Sequence, residues 1–345
     1  MNVSDEARAL HASALIVDLH CDILLTTAFL RWNWARRHGT FLGSPLMGHC
    51  DLPRMKEGNL GCLGLGIVTN PLAGPGAIDK MLTRMETKMV EHADELELAT
   101  TAQAIRSARK RGRIACFGGL EGVHSMKGKL EMLESYRDRG MRYVGFAHFS
   151  KNEACKPMVG WGADKTTGLS DFGRLLQAEC ERLRMVVDVA HVNRAGVLEL
   201  CAVATRPVIC SHTACTHIFN SPRGLDDTQI KAIAGTGGVI GVIFVSFFLG
   251  SGGVQQVVRH LTHIKDLVGV EHCALGTDWE GWALYPGDLN SADKLPLLTQ
   301  ALLDAGWTPD EVIKTYGENF LRVLEDVAGR GGSPPLPHER GPGHD

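Results

Sequence analysis

No two cysteines in this chain are spaced C-x-x-C, although ten are present. Cys62, Cys116, Cys210 and Cys273 lie inside apolar runs, where a thiol behaves as a small buried hydrophobe. That usage fits a reducing compartment and excludes a disulfide scaffold as the organising principle. An excess of either charge is also missing. With 36 Lys and Arg against 39 Asp and Glu the net charge is −3, so nothing points to a nucleic-acid partner or an anionic membrane surface. Long hydrophobic runs are absent as well. The longest, Val239–Leu249, is broken by Gly241 and Ser246 and is too short to span a bilayer. The opening MNVSDEARALHAS has no basic segment followed by an apolar core, and no apolar tail follows a lipid-anchor site. The expectation is a cytoplasmic protein without a membrane anchor. No internal repeat is visible.

What is present is a rhythm. Eight short apolar runs read as strands: Ala14–Leu19, Cys62–Val68, Ile114–Gly119, Met141–Ala147, Met185–Ala190, Pro207–Ser211, Gly238–Phe244 and His272–Thr277. Amphipathic helical stretches lie between them, among them Ile78–Arg111, Ser170–Arg184 and Val254–Val268. Continuous apolar strands separated by helices predict a parallel sheet covered on both faces. Eight repeats predict a closed (β/α)8 TIM-type barrel, with an open doubly wound sheet as the other topology. Residues 1–328 are expected to form one barrel domain, and the Gly- and Pro-rich residues 329–345 a disordered tail. Thr26–Leu60, carrying Trp32 and Trp34, is an insertion after the first strand, readable as a substrate lid or as a loop packed by its tryptophans. Thr308, Pro309 and Glu311 open an extra C-terminal helix that runs to Val327.

The chemistry-bearing residues fall at the ends of these runs. The first leads into His20 and Asp22, whose spacing puts both side chains on one face of a strand, with Cys21 on the other; Asp18, one step deeper on the first face, is placed to orient a ligand. Glu121, His148, His191, His212 and Asp278 follow five other runs. Each alone fits a structural histidine, a turn or a cap. Together, at one barrel mouth, they make the donor set of a metal site. Histidines 11, 92, 260 and 263 fall in helical or loop patterns and are read as surface or structural residues.

The stretches VDLHCD, GLEGVHS, RYVGFAHFSKN, GLSDFG, VVDVAHV, PVICSHT, NSPRGLDD, LGTDWEG and YGENFLRVL, in this order, resemble the membrane dipeptidase (renal dipeptidase) family of zinc peptidases. The resemblance runs from about Ala14 to Val327. It implies two zinc ions, one held by His20 and Asp22, the other by His191 and His212, with Glu121 bridging. It further implies that His148 faces the scissile carbonyl, Arg223 holds the substrate carboxylate and Asp278 transfers the proton. A surface Arg223 paired with Asp226 or Asp227 is the competing reading of that residue.

Two departures stand out. Cys21 replaces a common Asn, and Glu280 in DWEG replaces an acid one carbon shorter, which leaves the local shape of the pocket open. The activity so implied is hydrolysis of dipeptides, including L-Xaa-D-Xaa, by a hydroxide shared between the metal ions. Another binuclear amidohydrolase (an N-acyl amino acid deacylase or lactonase), a metal-dependent lyase or isomerase, and an inactive barrel serving as a binding module are the other readings. The expected partner is a small dipeptide, with a homo-oligomer open.

Overall fold

The computed structural model describes residues 2–39 and 46–328. The strands are β1 (Ile16–Cys21), β2 (Leu60–Val68), β3 (Leu96–Leu98), β4 (Ile114–Glu121), β5 (Met141–Gly145), β6 (Val186–Asp188), β7 (Val208–Cys215), β8 (Gly224–Leu225), β9 (Ile240–Val242) and β10 (Cys273–Leu275). Every residue of β1, β2, β4, β5 and β7 is buried, as expected of strands with side chains packed on both faces. Eight of the strands close a ring of parallel pairings: β1 to β2, then β4, β5, β6, β7, β9, β10 and back to β1. The (β/α)8 barrel expected from the sequence is therefore the observed fold. Among the described residues no helix is long and apolar enough to cross a membrane.

Two short strands stand outside the ring. β3 pairs with Ile114–Cys116 at the start of β4, below the point where β5 joins at Gly118. It divides the stretch Ile78–Arg111, which reads as one amphipathic helix, into helices Pro75–Glu91 and Ala102–Lys110. The second restarts because the Thr101 side chain caps it, accepting from the Ala104 N–H. The open ladder edge of β4 outweighs helix periodicity here. β8 pairs with the end of β7.

The C-terminal helix forms where expected, with the Thr308–Glu311 capping box in place and a wide π-turn at Lys314–Glu318 before helix Asn319–Ala328. Phe320 reaches the barrel interior and stacks on Phe117 with ring centroids 5.5 Å apart. With Leu321, Leu324 and the face of helix Ala102–Lys110 it belongs to the apolar cluster that includes Val17, Leu19, Phe117 and Tyr143. The floor of the barrel is thus filled.

The insertion is largely packed by its tryptophans. Trp34 is buried with its indole N–H on Thr27 Oγ1, and Trp32 stacks on His38. The expected tail 329–345 and residues 40–45 of the insertion lie outside the described residues.

Candidate metal centre and active site

Glu121, the last residue of β4, occupies the middle of the rim. Its Oε1 stands 2.9 Å from His191 Nε2, 3.5 Å from His212 Nε2 and 3.7 Å from His20 Nε2. His20 Nε2 is 3.2 Å from Asp22 Oδ1 and 3.9 Å from Asp278 Oδ1. His148 Nε2 faces the other Glu121 oxygen at 3.6 Å. Every candidate residue read from the six strand ends is therefore in one cluster. The donor atoms form two overlapping groups, His20–Asp22–Glu121 and Glu121–His191–His212, each with its atoms within 4.8 Å of one another. His20, His212 and Asp278 form a third group across them.

The backbone explains how residues from six strands meet. β1 and β2 slip register between Asp18 and Cys21. The Asp22 N–H then bonds Trp279 O at 2.7 Å and the Asp278 N–H bonds His20 O at 2.9 Å, so the chain ends after β1 and β10 run side by side. Asp22 is the N-cap of helix Ile23–Leu30, yet its carboxylate accepts no cap hydrogen bond and stays free for the cluster. His191 and Asp278 hold left-handed backbone, φ +65° and +60°, which turns both side chains at the mouth. Non-glycine residues in that region store strain, most often at functional positions. Two glycines clear the space. A Cβ on Gly66 would lie 2.2 Å from Asp22 Oδ1, and one on Gly119 would lie 1.8 Å from the Tyr143 ring.

The imidazoles are oriented from behind, and not by the residue expected. Asp18 does not hold the His20 ring. Its carboxylate accepts from the N–H of His20 and from the N–H and hydroxyl of Thr277, pinning β1 to β10. The His20 ring is held instead by the Tyr143 hydroxyl, 2.6 Å from Nδ1. Asp188 is a second such clamp that the sequence reading missed. It accepts from the N–H of Ala190 and from the N–H and hydroxyl of Ser211, whose Oγ lies 2.9 Å from His212 Nδ1. The recurring Val-Asp two or three residues before a histidine (VDLH, VDVAH) is the signal that was available. Glu280 is the third. It reaches back to accept from the N–H groups of Gly48, His49 and Cys50, tying the insertion to the loop after β10. The added methylene over the family's shorter acid has this use.

Electrostatics favour a cation. Asp22, Glu121 and Asp278 are all pushed up in pKa, first by burial and then by carboxylates around them. Burial holds His191 and His212 well below the usual imidazole range, so both present neutral nitrogens, the form that ligates. His20 Nε2, Asp22 Oδ1 and Glu121 Oε2 are buried and hydrogen-bond to nothing among the described residues. Orphaned donors and acceptors of this kind cost about 1–3 kcal/mol each unless something satisfies them. Mixed imidazole and carboxylate donors suit a divalent transition metal.

Above the cluster opens a cavity of about 450 Å³, lined by Asp22, Glu121, His148, His191, Arg223 and Asp278 on one side. Leu25, Leu46, Phe247, Phe248, Trp282 and Leu284 form its apolar walls. Arg223 is fully buried and has no carboxylate within 4.0 Å among the described residues. Its expected surface partners are taken, Asp226 by Arg194 and Asp227 by His263. Among the described residues the guanidinium hydrogen-bonds Met158 Sδ and His212 O and lies over the Phe248 ring.

A filled parallel barrel with an acid-and-imidazole cluster at its open end defines the class, a metal-dependent hydrolase. Residues 4–331 match the sequence profile of the family described as Membrane dipeptidase (Peptidase family M19). The chain belongs to that family of peptide-bond hydrolases. Similar solved structures include a metallo peptidase named dipeptidase AC, of the same family, at 25% identity and a TM-score of 0.82 over 91% of this chain and 99% of that one. A metallo peptidase from Rhodobacter sphaeroides bound to a phosphinate mimic of the dipeptide L-Ala-D-Ala is 24% identical, with a TM-score of 0.80 over 91% and 99% of the two chains. The probable dipeptidase PvdM from Pseudomonas aeruginosa is 19% identical, with a TM-score of 0.82 over 93% and 97%.

The cleared space at Gly66 gives a direct test of the centre. Gly66→Ala should lower bound metal per chain and activity together by about tenfold or more, the scale seen when a ligand's surroundings are disturbed. Gly76→Ala, whose Cβ would meet nothing within 4 Å, should change neither. Metal analysis of the two purified variants decides it; full occupancy in Gly66→Ala would show that Asp22 is not held against a cation.

Proposed function

We propose that this chain is a zinc-dependent dipeptidase that cuts the single bond of a free dipeptide and recognises its C-terminal carboxylate. One observation carries the reading: two ligand groups sharing Glu121 open into the same small cavity as a buried arginine that has no carboxylate partner among the described residues. His20 and Asp22 would hold one zinc, His191 and His212 the second, and Glu121 would bridge. When bound, the pair supplies Lewis acidity and lowers the pKa of water toward about 7.

The chain's own groups do the rest. Asp278 sits beside His20 and is the most open of the three acids, with 17% of its side chain exposed. Burial raises its proton affinity, which suits a group that takes a proton from the attacking water and returns it to the leaving amine. His148 has a pKa held down to about 4, by burial above all, so it is neutral at pH 7 and keeps one N–H to offer the carbonyl oxygen as charge builds there. Arg223 offers a planar fork that fits both oxygens of a carboxylate. The cavity has room for a dipeptide, and its apolar walls favour apolar side chains. The L-Ala-D-Ala mimic held by the Rhodobacter sphaeroides relative supports a D-residue at the C-terminal position.

The test is a dipeptide panel covering all four stereochemical combinations, run beside N-acyl amino acids and lactones, with zinc measured on the same sample. Free dipeptides should be cleaved, activity should vanish on exhaustive chelation, and zinc should restore it. Turnover confined to acyl amino acids or lactones, or full activity after chelation, would overturn the assignment.

A further inference from the structure

The loop that carries Arg223 leaves β7 at Thr216 and ends at helix Asp227–Gly235. A residue with metal-binding chemistry stands at each end of it. His217 is the second residue of the loop and Asp227 is the first of the helix. The Asp227 carboxylate is 2.8 Å from His263 Nε2, on helix Val254–Val268. The His217 ring lies parallel to that of His263, centroids 4.5 Å apart and planes within 12°. One donor atom from each of the three residues falls within 4.8 Å of the others. This cluster is separate from the rim, and none of its members lines the cavity above Glu121.

An Asp–His hydrogen bond accounts for two of these residues but not for the third. His217 is exposed, and an exposed imidazole has no need to lie flat against another. Two imidazoles and a carboxylate from three different elements are the donor set of a three-ligand zinc site completed by water. Around a tetrahedral zinc with bonds of about 2.0 Å, donors stand about 3.3 Å apart, so the Asp227–His263 pair would open from 2.8 Å and His217 would turn toward it.

We infer that His217, Asp227 and His263 form an additional divalent-cation site, of the zinc type, which fastens both ends of the Arg223 loop to helix Val254–Val268. The cation takes no part in the reaction. It replaces the Asp227–His263 hydrogen bond with shared coordination, and it reduces the freedom of the residues that set where the Arg223 guanidinium sits. The inference does not depend on the substrate proposed above.

The experiment uses enzyme already loaded at its active centre, titrated with zinc alone against a competing chelator. Wild type should bind one more equivalent than His217→Ala and His263→Ala, with micromolar affinity, and both variants should keep basal activity and active-centre metal. Hydrogen exchange in residues 216–226 should slow on zinc addition in wild type only. Equal zinc stoichiometry in wild type and both variants at millimolar free zinc overturns the site. Binding without slower exchange overturns the fastening of the loop.

Discussion

Asp278→Asn should abolish turnover while leaving the metal in place. The residue's backbone is fixed independently of its carboxylate: its N–H bonds His20 O, and its C=O accepts from the Tyr285 hydroxyl. Its left-handed φ of +60° suits Asn better than most residues. The substitution therefore keeps shape and position and removes the carboxylate's charge and its ability to accept a proton. A lost general acid–base costs about 10²–10⁴-fold, and the loss should appear in kcat. The acid limb of the pH–rate profile should disappear with it. Bound zinc per chain is the deciding control. Asp278 Oδ1 also lies in a donor group with His20 and His212, so a variant that loses metal would make Asp278 a ligand and not the proton carrier.

Arg223→Ala should raise KM for free dipeptides by about 10²-fold or more, the scale of breaking a desolvated charge pair. C-terminally amidated dipeptides should change little. Arg223→Lys should fall between, because an ammonium keeps the charge and loses the fork. Stability separates this role from a structural one. Arg223 is held at full burial with its Nε unpartnered and its pKa depressed, first by that burial. Removing a buried cation that no carboxylate pairs with relieves a desolvation cost, so the melting temperature should hold or rise as activity falls. A lower melting temperature together with equal losses on free and amidated substrates would remove the carboxylate-handle idea.

Much of the candidate site was legible because a barrel makes position along the chain equivalent to position in space. Once the apolar runs are strands of one parallel ring, whatever follows each run is at the same end. His20, Asp22, Glu121, His148, His191, His212 and Asp278 needed no further information to be gathered. The residues that escaped are those whose partners are remote in sequence. Tyr143 behind His20, Asp188 behind Ser211 and His212, and Glu280 beneath the insertion look like ordinary strand or loop residues until their neighbours are known. His263, read as a surface or structural residue from its helical pattern, is half-buried and hydrogen-bonded to Asp227, which agrees with that reading. Asp18 shows the converse. Strand alternation put it beneath the His20 ring, and the register slip between β1 and β2 gave it to Thr277 instead.

The sequence by itself determined the parallel strands, the candidate donor residues and the strand ends where they lie, because burial period and residue chemistry are local properties of the chain; closure into a ring was decided by the pairing of β10 with β1. The tertiary structure supplied the distances, which put Glu121 between the two groups that the resemblance implies. It also decided that Arg223 turns inward, while the two aspartates nearest to it in sequence pair with Arg194 and His263. Those outcomes depend on angles and distances between elements far apart in sequence, and pairing energies there are fixed by competition among neighbours that only folding brings together.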